Sequence, residues 1–471
     1  MCLAAMMMAV SGGAAFCAPP NIVLFIADDL SQRDISPYGG IEFRTPHMQA
    51  LANSGLTFDS AYVASPSCAP SRAALLTGLM PARNGAEANH SKPRPEIRKW
   101  PAYFQQIGYE VAAYGKVSHY KHTVDYGFDS FAHDTFHDDV AVPEAVKFLR
   151  NRGKASRPLC LLVGTNWPHV PWPETSEGYD PAKVPLAPGN ADTPVSREWR
   201  ARYAAAVTRA DNDLGLMLAA VREVLGESTL VAFTSDHGSQ WPFGKWNCYE
   251  GGVRVPLIVS WPGVVAPGSR TPAMVSWVDL LPTLLAAAGG TPPESIDGRS
   301  FLGVLKGAST EHRDAIFTTH SGDGNWNVYP QRAVRRGKWK YIRNLHPEFA
   351  FTSHVDLPDH VGRQTYFASW REAAVRDPEA AAVVKRYHQR PAEELFDLET
   401  DPLEHHNLVN DPRGQEAIGR LRQELDQWMS AQSDKQTVFG EPRLLSDPDS
   451  YGPNALSGDP QARKRAVQRQ N

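Results

Sequence analysis

The chain is poor in cysteine, carries little excess charge and begins with an apolar run too short to cross a bilayer. Five cysteines in 471 residues do not make a disulfide framework, and two of them, Cys2 and Cys17, fall in a segment expected to be removed. A net charge of -4, from 48 basic and 52 acidic residues, gives no electrostatic reason to expect a nucleic-acid partner. The run Met6-Met7-Met8-Ala9-Val10 falls well below the length of a membrane span, so no stable span is expected. No internal repeat is evident.

What is present describes an ordinary soluble globular protein, with 21% charged and 42% hydrophobic residues. The length exceeds what one ordinary core supports, so a large domain and a smaller one are expected. Residues Met1 to Ala18 are small and apolar and end near Gly13-Ala14-Ala15, a cleavage-like stretch of small residues. They lack a basic start but otherwise read as an export signal, which predicts a periplasmic or secreted protein. Phe16 before Cys17 argues against a lipoprotein site. Cys68, Cys160 and Cys248 would then remain; Cys160 lies within the apolar run Leu159 to Gly164 and reads as a small core residue, and Cys248 has no evident partner.

Asn21 to Ala27 is a continuous β-branched and aromatic run, as expected of a strand covered on both faces of a parallel sheet, and it ends in Asp28-Asp29. Further strands are read at Glu110 to Tyr114, followed by Gly115-Lys116-Val117-Ser118-His119; at Leu159 to Thr165, followed by Asn166-Trp167-Pro168-His169; at Leu230 to Ser235, ending in Asp236-His237-Gly238; and at Leu257 to Ser260. Helical patterns lie between them at Pro46 to Ser54, Trp100 to Ile107, Pro143 to Arg152 and Arg197 to Leu225. This alternation predicts an α/β domain over residues 19–322, a mostly parallel central sheet flanked by helices. Ligands of such sheets bind beyond the carboxyl ends of the strands, where all these polar residues fall. After Gly322 the composition changes. Ala333 to Leu345 reads as an exposed-face antiparallel strand, Glu394 to Leu398 as a strand before a turn, and Gln415 to Met429 as an amphipathic helix. Residues 323–446 are therefore expected to form a smaller α+β domain with an antiparallel sheet, and 447–471 a disordered tail.

Cys68-Ala69-Pro70-Ser71-Arg72 precedes the helix formers Ala73 to Leu76 and then Thr77-Gly78. Pro70 suits the first helical position, so Cys68 sits near a helix N-terminus, where unpaired N–H groups favour an anion. Asp28, Asp29 and Asp236 come from two distant strand ends, and carboxylates that close imply a hard divalent cation. An isolated Asp-Asp pair would more often be a helix cap or a solvated turn; Asp236-His237 at a second strand end favours the metal. A single Lys or His in a loop is likewise most often only solvated.

The string around Cys68 resembles the sulfatase signature C-x-P-S-R followed by L-T-G, of the alkaline phosphatase superfamily, and the likeness runs from Asn21 to about Leu408. The resemblance implies an alkaline-phosphatase-like fold and a cysteine oxidised after synthesis to formylglycine by a maturase. It implies a metal site of Asp28, Asp29, Cys68, Asp236 and His237 for calcium, with magnesium as the alternative. Arg72 would hold the hydrated aldehyde, Lys116 and Lys245 would clamp sulfate, His119 would take a proton from the diol, and His169 (or Lys116) would protonate the departing alcohol. The substrate would be a sulfated saccharide, attacked from its end. Ser67 to Gly78, Asn84-Gly85 and His90 look like the heparan N-sulfatase subgroup, whereas Lys245, His237 and the Lys116 to His119 spacing depart from it, the last toward the iduronate-sulfatase form. Trp172, Trp241 and Trp246 are candidates for stacking on sugar rings. Two other readings remain open: a phosphonate or phosphodiester hydrolase of the same superfamily, and a catalytically silent homologue that binds sulfated glycans.

Overall fold

The structure, a computed structural model, describes residues 19–132, 140–152, 157–357, 366–452 and 455. The expected export signal, with Cys2 and Cys17, lies outside them. Nine strands form the main sheet: β1 (Ile22–Ala27), β2 (Leu56–Tyr62), β3 (Glu110–Gly115), β4 (Ser130–Ala132), β5 (Leu159–Gly164), β6 (Leu230–Ser235), β7 (Arg254–Val255), β8 (Leu257–Ser260) and β9 (Ser269–Ser276). Their order is β4-β3-β5-β1-β6-β8-β2-β7, with β9 paired to β2. The block β4-β3-β5-β1-β6 is parallel throughout. The expected strand at Leu257 to Ser260 is present, but it runs antiparallel to β6. Between β6 and β8 the chain makes a loop, one short helical turn and β7, and no long helix crosses the sheet there.

Alternation along β1 shows why both faces must be covered. Val23, Phe25 and Ala27 join a cluster with Tyr203, Val207, Leu214 and Met217 of the long helix Pro194–Val224. Ile22, Leu24 and Ile26 face the opposite way, onto Leu75 and Leu76 of the helix Cys68–Thr77 and Leu281 and Leu284 of the helix Leu280–Ala287. A strand with period-two side chains and no polar face is stable only between two helical layers. The long helix starts three residues earlier than its apolar pattern. Thr193 caps it by accepting from Ser196 N, and Pro194 takes the first position.

A second, four-stranded antiparallel sheet follows: β10 (Ala315–His320), β11 (Gln331–Arg336), β12 (Trp339–Asn344) and β13 (Glu393–Asp397), in that order. The single exposed strand expected at Ala333 to Leu345 is instead a hairpin. Arg336 pairs with Trp339, and the turn Gly337-Lys338 uses a glycine at φ +55°. Of its basic residues Lys340 is buried, while Arg335, Arg336, Lys338 and Arg343 stay partly exposed; Arg332, just before the segment, is buried too. Arg332 pairs with Asp434 at 2.5 Å, and Lys340 reaches Glu250 at 3.0 Å and Glu404 at 3.3 Å, all buried. The helix Gln415–Ala431 lays Ile418, Leu421, Leu425 and Met429 on Val334, Tyr341 and Leu395. Two further helices, Tyr366–Ala374 and Pro378–His388, carry no pattern singled out above; their Tyr366, Phe367, Trp370 and Tyr387 join the core beneath the main sheet. Of the tail expected to be disordered, residues 447–452 make a turn that docks on the chain: Arg371 donates to the Tyr451 carbonyl at 3.1 Å. Residues 453–454 and 456–471 lie outside the described residues.

The end of β5 meets the end of β3 so closely that Gly164 has no room for a side chain. A Cβ there would lie 2.2 Å from the Lys116 carbonyl oxygen. Gly164→Ala should therefore destabilise the protein by about 1–3 kcal/mol, read from the denaturant midpoint. Gly419→Ala, inside the helix Gln415–Ala431 with open space around it, should stabilise by about 0.5–1 kcal/mol.

Candidate active site

The parallel strands deliver their following residues to one edge of the sheet: Asp28 and Asp29 after β1, Lys116 after β3, His169 after β5, and Asp236 and His237 after β6. Cys68 meets them from the first position of its helix. Pro70, expected at that first position, stands third. All ten residues of the helix are buried. The helix start is not a bare row of N–H groups, because the Ala69 N–H is taken by Asn89 Oδ1 at 3.0 Å.

Arg72 stands one helical turn beyond Cys68 and shares its face. Its guanidinium donates to Asp28 Oδ1 at 3.0 Å and to Asp236 Oδ2 at 3.0 Å, and a third nitrogen contacts the Lys116 carbonyl. In this arrangement Arg72 braces three strand ends. Lys116 Nζ lies 2.5 Å from Asp28 Oδ2 and 3.6 Å from Cys68 Sγ. Lys245 Nζ is 2.9 Å from both Asp29 oxygens. Asp29 adopts φ +67°, and its N–H donates to Asp236 Oδ1 at 3.0 Å. His169 Nε2 is 3.9 Å from Asp29 Oδ2, and its Nδ1–H donates to the Val170 carbonyl at 2.6 Å. It is buried, not a surface histidine on a proline-rich turn.

The ligand atoms of Asp28, Asp29, Cys68, Asp236 and His237 all lie within 4.8 Å of one another, and all five residues are buried. Three carboxylates here face three cations, Arg72, Lys116 and Lys245, so repulsion among acids does not by itself demand a metal. The histidine supplies the stronger reason. His237 Nδ1–H donates to the Gly238 carbonyl at 3.0 Å, which leaves Nε2 facing Asp29 Oδ1 at 3.5 Å, Asp236 Oδ2 at 3.4 Å and Cys68 Sγ at 3.3 Å. A metal ion in that space would take the Nε2 lone pair and the carboxylate oxygens together, a role otherwise left to a proton on the ring or the thiol hydrogen. The donor set of carboxylate oxygens and one imidazole fits a divalent metal.

The electrostatics divide the two adjacent acids. Burial would raise Asp28, but Lys116 and Arg72 outweigh it and hold the carboxyl well below its usual range. For Asp29 burial wins over Lys245 and the value rises. Burial would lower Lys116, but Asp28 pushes it well above its ordinary value. Burial drives the Cys68 thiol up to about 12. The encoded sulfur is therefore a neutral thiol and a poor nucleophile at ordinary pH, as expected of a residue that needs conversion before it can react.

Beside this cluster opens a cavity of about 160 Å³ lined by Cys68, His119, His169, Lys245, Trp246 and Asp323, among others. The candidate catalytic and metal residues read from the sequence line this cavity or lie in the cluster beneath it and its ion-pair partners. Of the three tryptophans, only Trp246 lines the cavity. Trp172 and Trp241 are core residues, stacked at 5.1 Å on each other, with Trp241 stacked at 4.5 Å on Tyr366. Asp323, His354 and Asn89 were not singled out; Asp323 and His354 sit in connecting segments without a local pattern.

Residues 20–290 match the family model described as Sulfatase, and residues 237–357 the one described as N-sulphoglucosamine sulphohydrolase, C-terminal. The chain belongs to the sulfatase family. This sulfatase is 30% identical over 430 residues to an ulvan-active sulfatase of Formosa agariphila, covering 88% of this chain and 81% of that one. It is also 30% identical over 462 residues to human N-sulphoglucosamine sulphohydrolase, covering 87% and 90%. Among solved structures, one in complex with D-glucosamine-2-N,6-O-disulfate superposes with a TM-score of 0.68 at 21% identity, covering 88% of this chain and 99% of that chain. The phosphonate monoester hydrolase of Silicibacter pomeroyi gives 0.65 at 19%, covering 88% and 96%. At those identities the likeness establishes the fold.

Removing metal from the sulfatase by chelation should lower its Tm, and adding calcium back should restore it. Asp236→Ala should abolish that calcium-dependent rise; retention of bound metal and of the rise would exclude Asp236 as a ligand. Arg72→Ala leaves Asp28 and Asp236 buried without their shared partner and should cost about 3–5 kcal/mol in equilibrium unfolding.

Proposed function

We propose that this sulfatase hydrolyses sulfate groups of sulfated carbohydrates from a chain end, using formylglycine made from Cys68 and a divalent metal held by Asp28, Asp29, residue 68, Asp236 and His237. Calcium is the proposed metal, with magnesium as the alternative. The observation that carries the reading is the packing of a buried, unreactive thiol within 4.8 Å of four metal-competent side chains at the strand ends. When present, the hydrated aldehyde would supply an oxygen nucleophile and the metal would offset the charge gathering around it.

The chain's own residues account for the rest. Lys116 and Lys245 bring two ammonium groups to the cavity floor, where an incoming sulfate can exchange their carboxylate contacts for its own oxygens. His169 donates its Nδ1 proton to the Val170 carbonyl, which leaves Nε2 as the atom that delivers a proton to the departing alcohol. His119 takes a proton from residue 68 in the second half of the reaction. The modest cavity favours a terminal sulfated sugar over the interior of a polymer, and the relatives named for ulvan and for N-sulphoglucosamine support a saccharide. Trp246 at its wall offers the aromatic face on which a sugar ring stacks. We further propose export to the periplasm or medium, on the character of residues 1–18, and modification of Cys68 by a formylglycine-generating maturase.

The first test is mass spectrometry of the Cys68 peptide after co-expression with that maturase, where aldehyde is expected in place of thiol. Matured protein should then desulfate one or more of the N-, 2-O-, 4-O- and 6-O-sulfated saccharides with a higher kcat/KM than a matched phosphodiester. Turnover restricted to aryl sulfate, or a preference for the phosphodiester, would overturn the carbohydrate reading. Cys68→Ser should be inactive unless the maturase accepts serine.

A further inference from the structure

Behind His119 lies a chain of side chains that no step so far uses. Asp323, in the segment leading from β10 to β11, is buried and heavily anchored. Trp246 Nε1 donates to its Oδ2 at 2.7 Å and Asn89 Nδ2 at 2.9 Å, and His354 Nε2 lies 3.3 Å from the same oxygen. The other oxygen, Oδ1, receives none of these; His90 Nε2 lies 3.1 Å from it, close but off the line of a formed hydrogen bond. His90 Nδ1 is in turn 2.8 Å from His119 Nε2. The remaining ring nitrogen, His119 Nδ1, is buried and has no hydrogen-bond partner among the described residues.

The charge of Asp323 selects one of the two proton arrangements open to neutral imidazoles in this row. Burial would raise Asp323, but its bonds from His354 and His90 hold it well below the usual carboxylate range, so it only accepts. Facing that carboxylate at 3.1 Å, His90 is favoured with its proton on Nε2, which leaves a lone pair on Nδ1. The 2.8 Å contact therefore requires the proton of His119 on Nε2. Burial, then the charges of Lys116, His90 and His122, push His119 well below its ordinary value; it is neutral, and its free lone pair is on Nδ1.

We propose that Asp323 and His90 are positioning residues that lock His119 in the tautomer with an unprotonated Nδ1, making that nitrogen the base. The inference rests on the reading of His119 given above. When Nδ1 accepts a proton from residue 68, the imidazolium keeps its Nε2–H on His90, and His90 keeps its own on Asp323. No proton travels to Asp323; its buried carboxylate offsets the new charge through the intervening ring. The logic is that of the carboxylate in a Ser-His-Asp triad, with a second imidazole interposed. His90 is held for this at φ +65°, a left-handed conformation that Asn also tolerates.

Long-range ¹H–¹⁵N spectra of the matured protein carrying ¹⁵N-histidine test this without turnover, with His119→Gln assigning the signals. Wild type should show His119 Nδ1 unprotonated. In Asp323→Asn the amide can donate to His90 Nε2, reversing the row and placing a proton on His119 Nδ1. Both Asp323→Asn and the half-exposed His90→Asn should lower kcat by about 100-fold or more with little change in KM, on the sulfated saccharide turned over fastest above. A protonated Nδ1 in wild type, or an unchanged kcat in His90→Asn, would overturn the proposal. A purely structural role would lower Tm without moving the nitrogen signals. If wild type desulfates nothing, the catalytic reading fails, and the nitrogen signals alone still decide whether the row sets the tautomer.

Discussion

The architecture of the site depends on one buried guanidinium. Arg72 is fully enclosed and must have its charge met, and it meets Asp28, Asp236 and the Lys116 carbonyl. Those three groups follow three different strands of the parallel block. A single planar fork thus sets the spacing between β1, β3 and β6 at the edge where chemistry occurs. Because Arg72 lies one turn from Cys68, the same contact sets the helix relative to the sheet.

Around that brace, cations and anions alternate. Lys116 answers Asp28, Lys245 answers Asp29, and His237 Nε2 looks into the space among Asp29, Asp236 and Cys68. Both lysines are held on carboxylates in this arrangement.

The parallel core was legible because β1, β5 and β6 are each six-residue runs that are wholly buried, and such runs resemble little else in a sequence. The placement of Asp28, Asp29, Asp236 and His237 followed from topology, since residues just past parallel strands share one edge. The second sheet was read less well. Lys340 looks like a solvent-facing residue of one strand, and only Glu250 and Glu404, distant in sequence, make it buried. The Gly337 turn was hidden inside an alternating pattern that continued on both sides of it. Asp323 was beyond reach for a related reason: its meaning comes from Trp246, Asn89, His90 and His354, four residues from three segments, and nothing in its own neighbourhood marks it. The tryptophans were ambiguous from composition alone, because an aromatic ring serves core and cavity equally well until its neighbours are known.

The burial of the whole Cys68–Thr77 helix also sets an order of events. In the folded protein Cys68 is 2% exposed, behind a cavity too small for another protein's active centre. An enzyme that converts this cysteine must therefore meet the segment while it is still extended, before β1, β3 and β6 close over Arg72. Folding and maturation compete for the same stretch of chain. On the proposed chemistry, a molecule that folds first would be sealed as a thiol, and the active fraction would be set during synthesis.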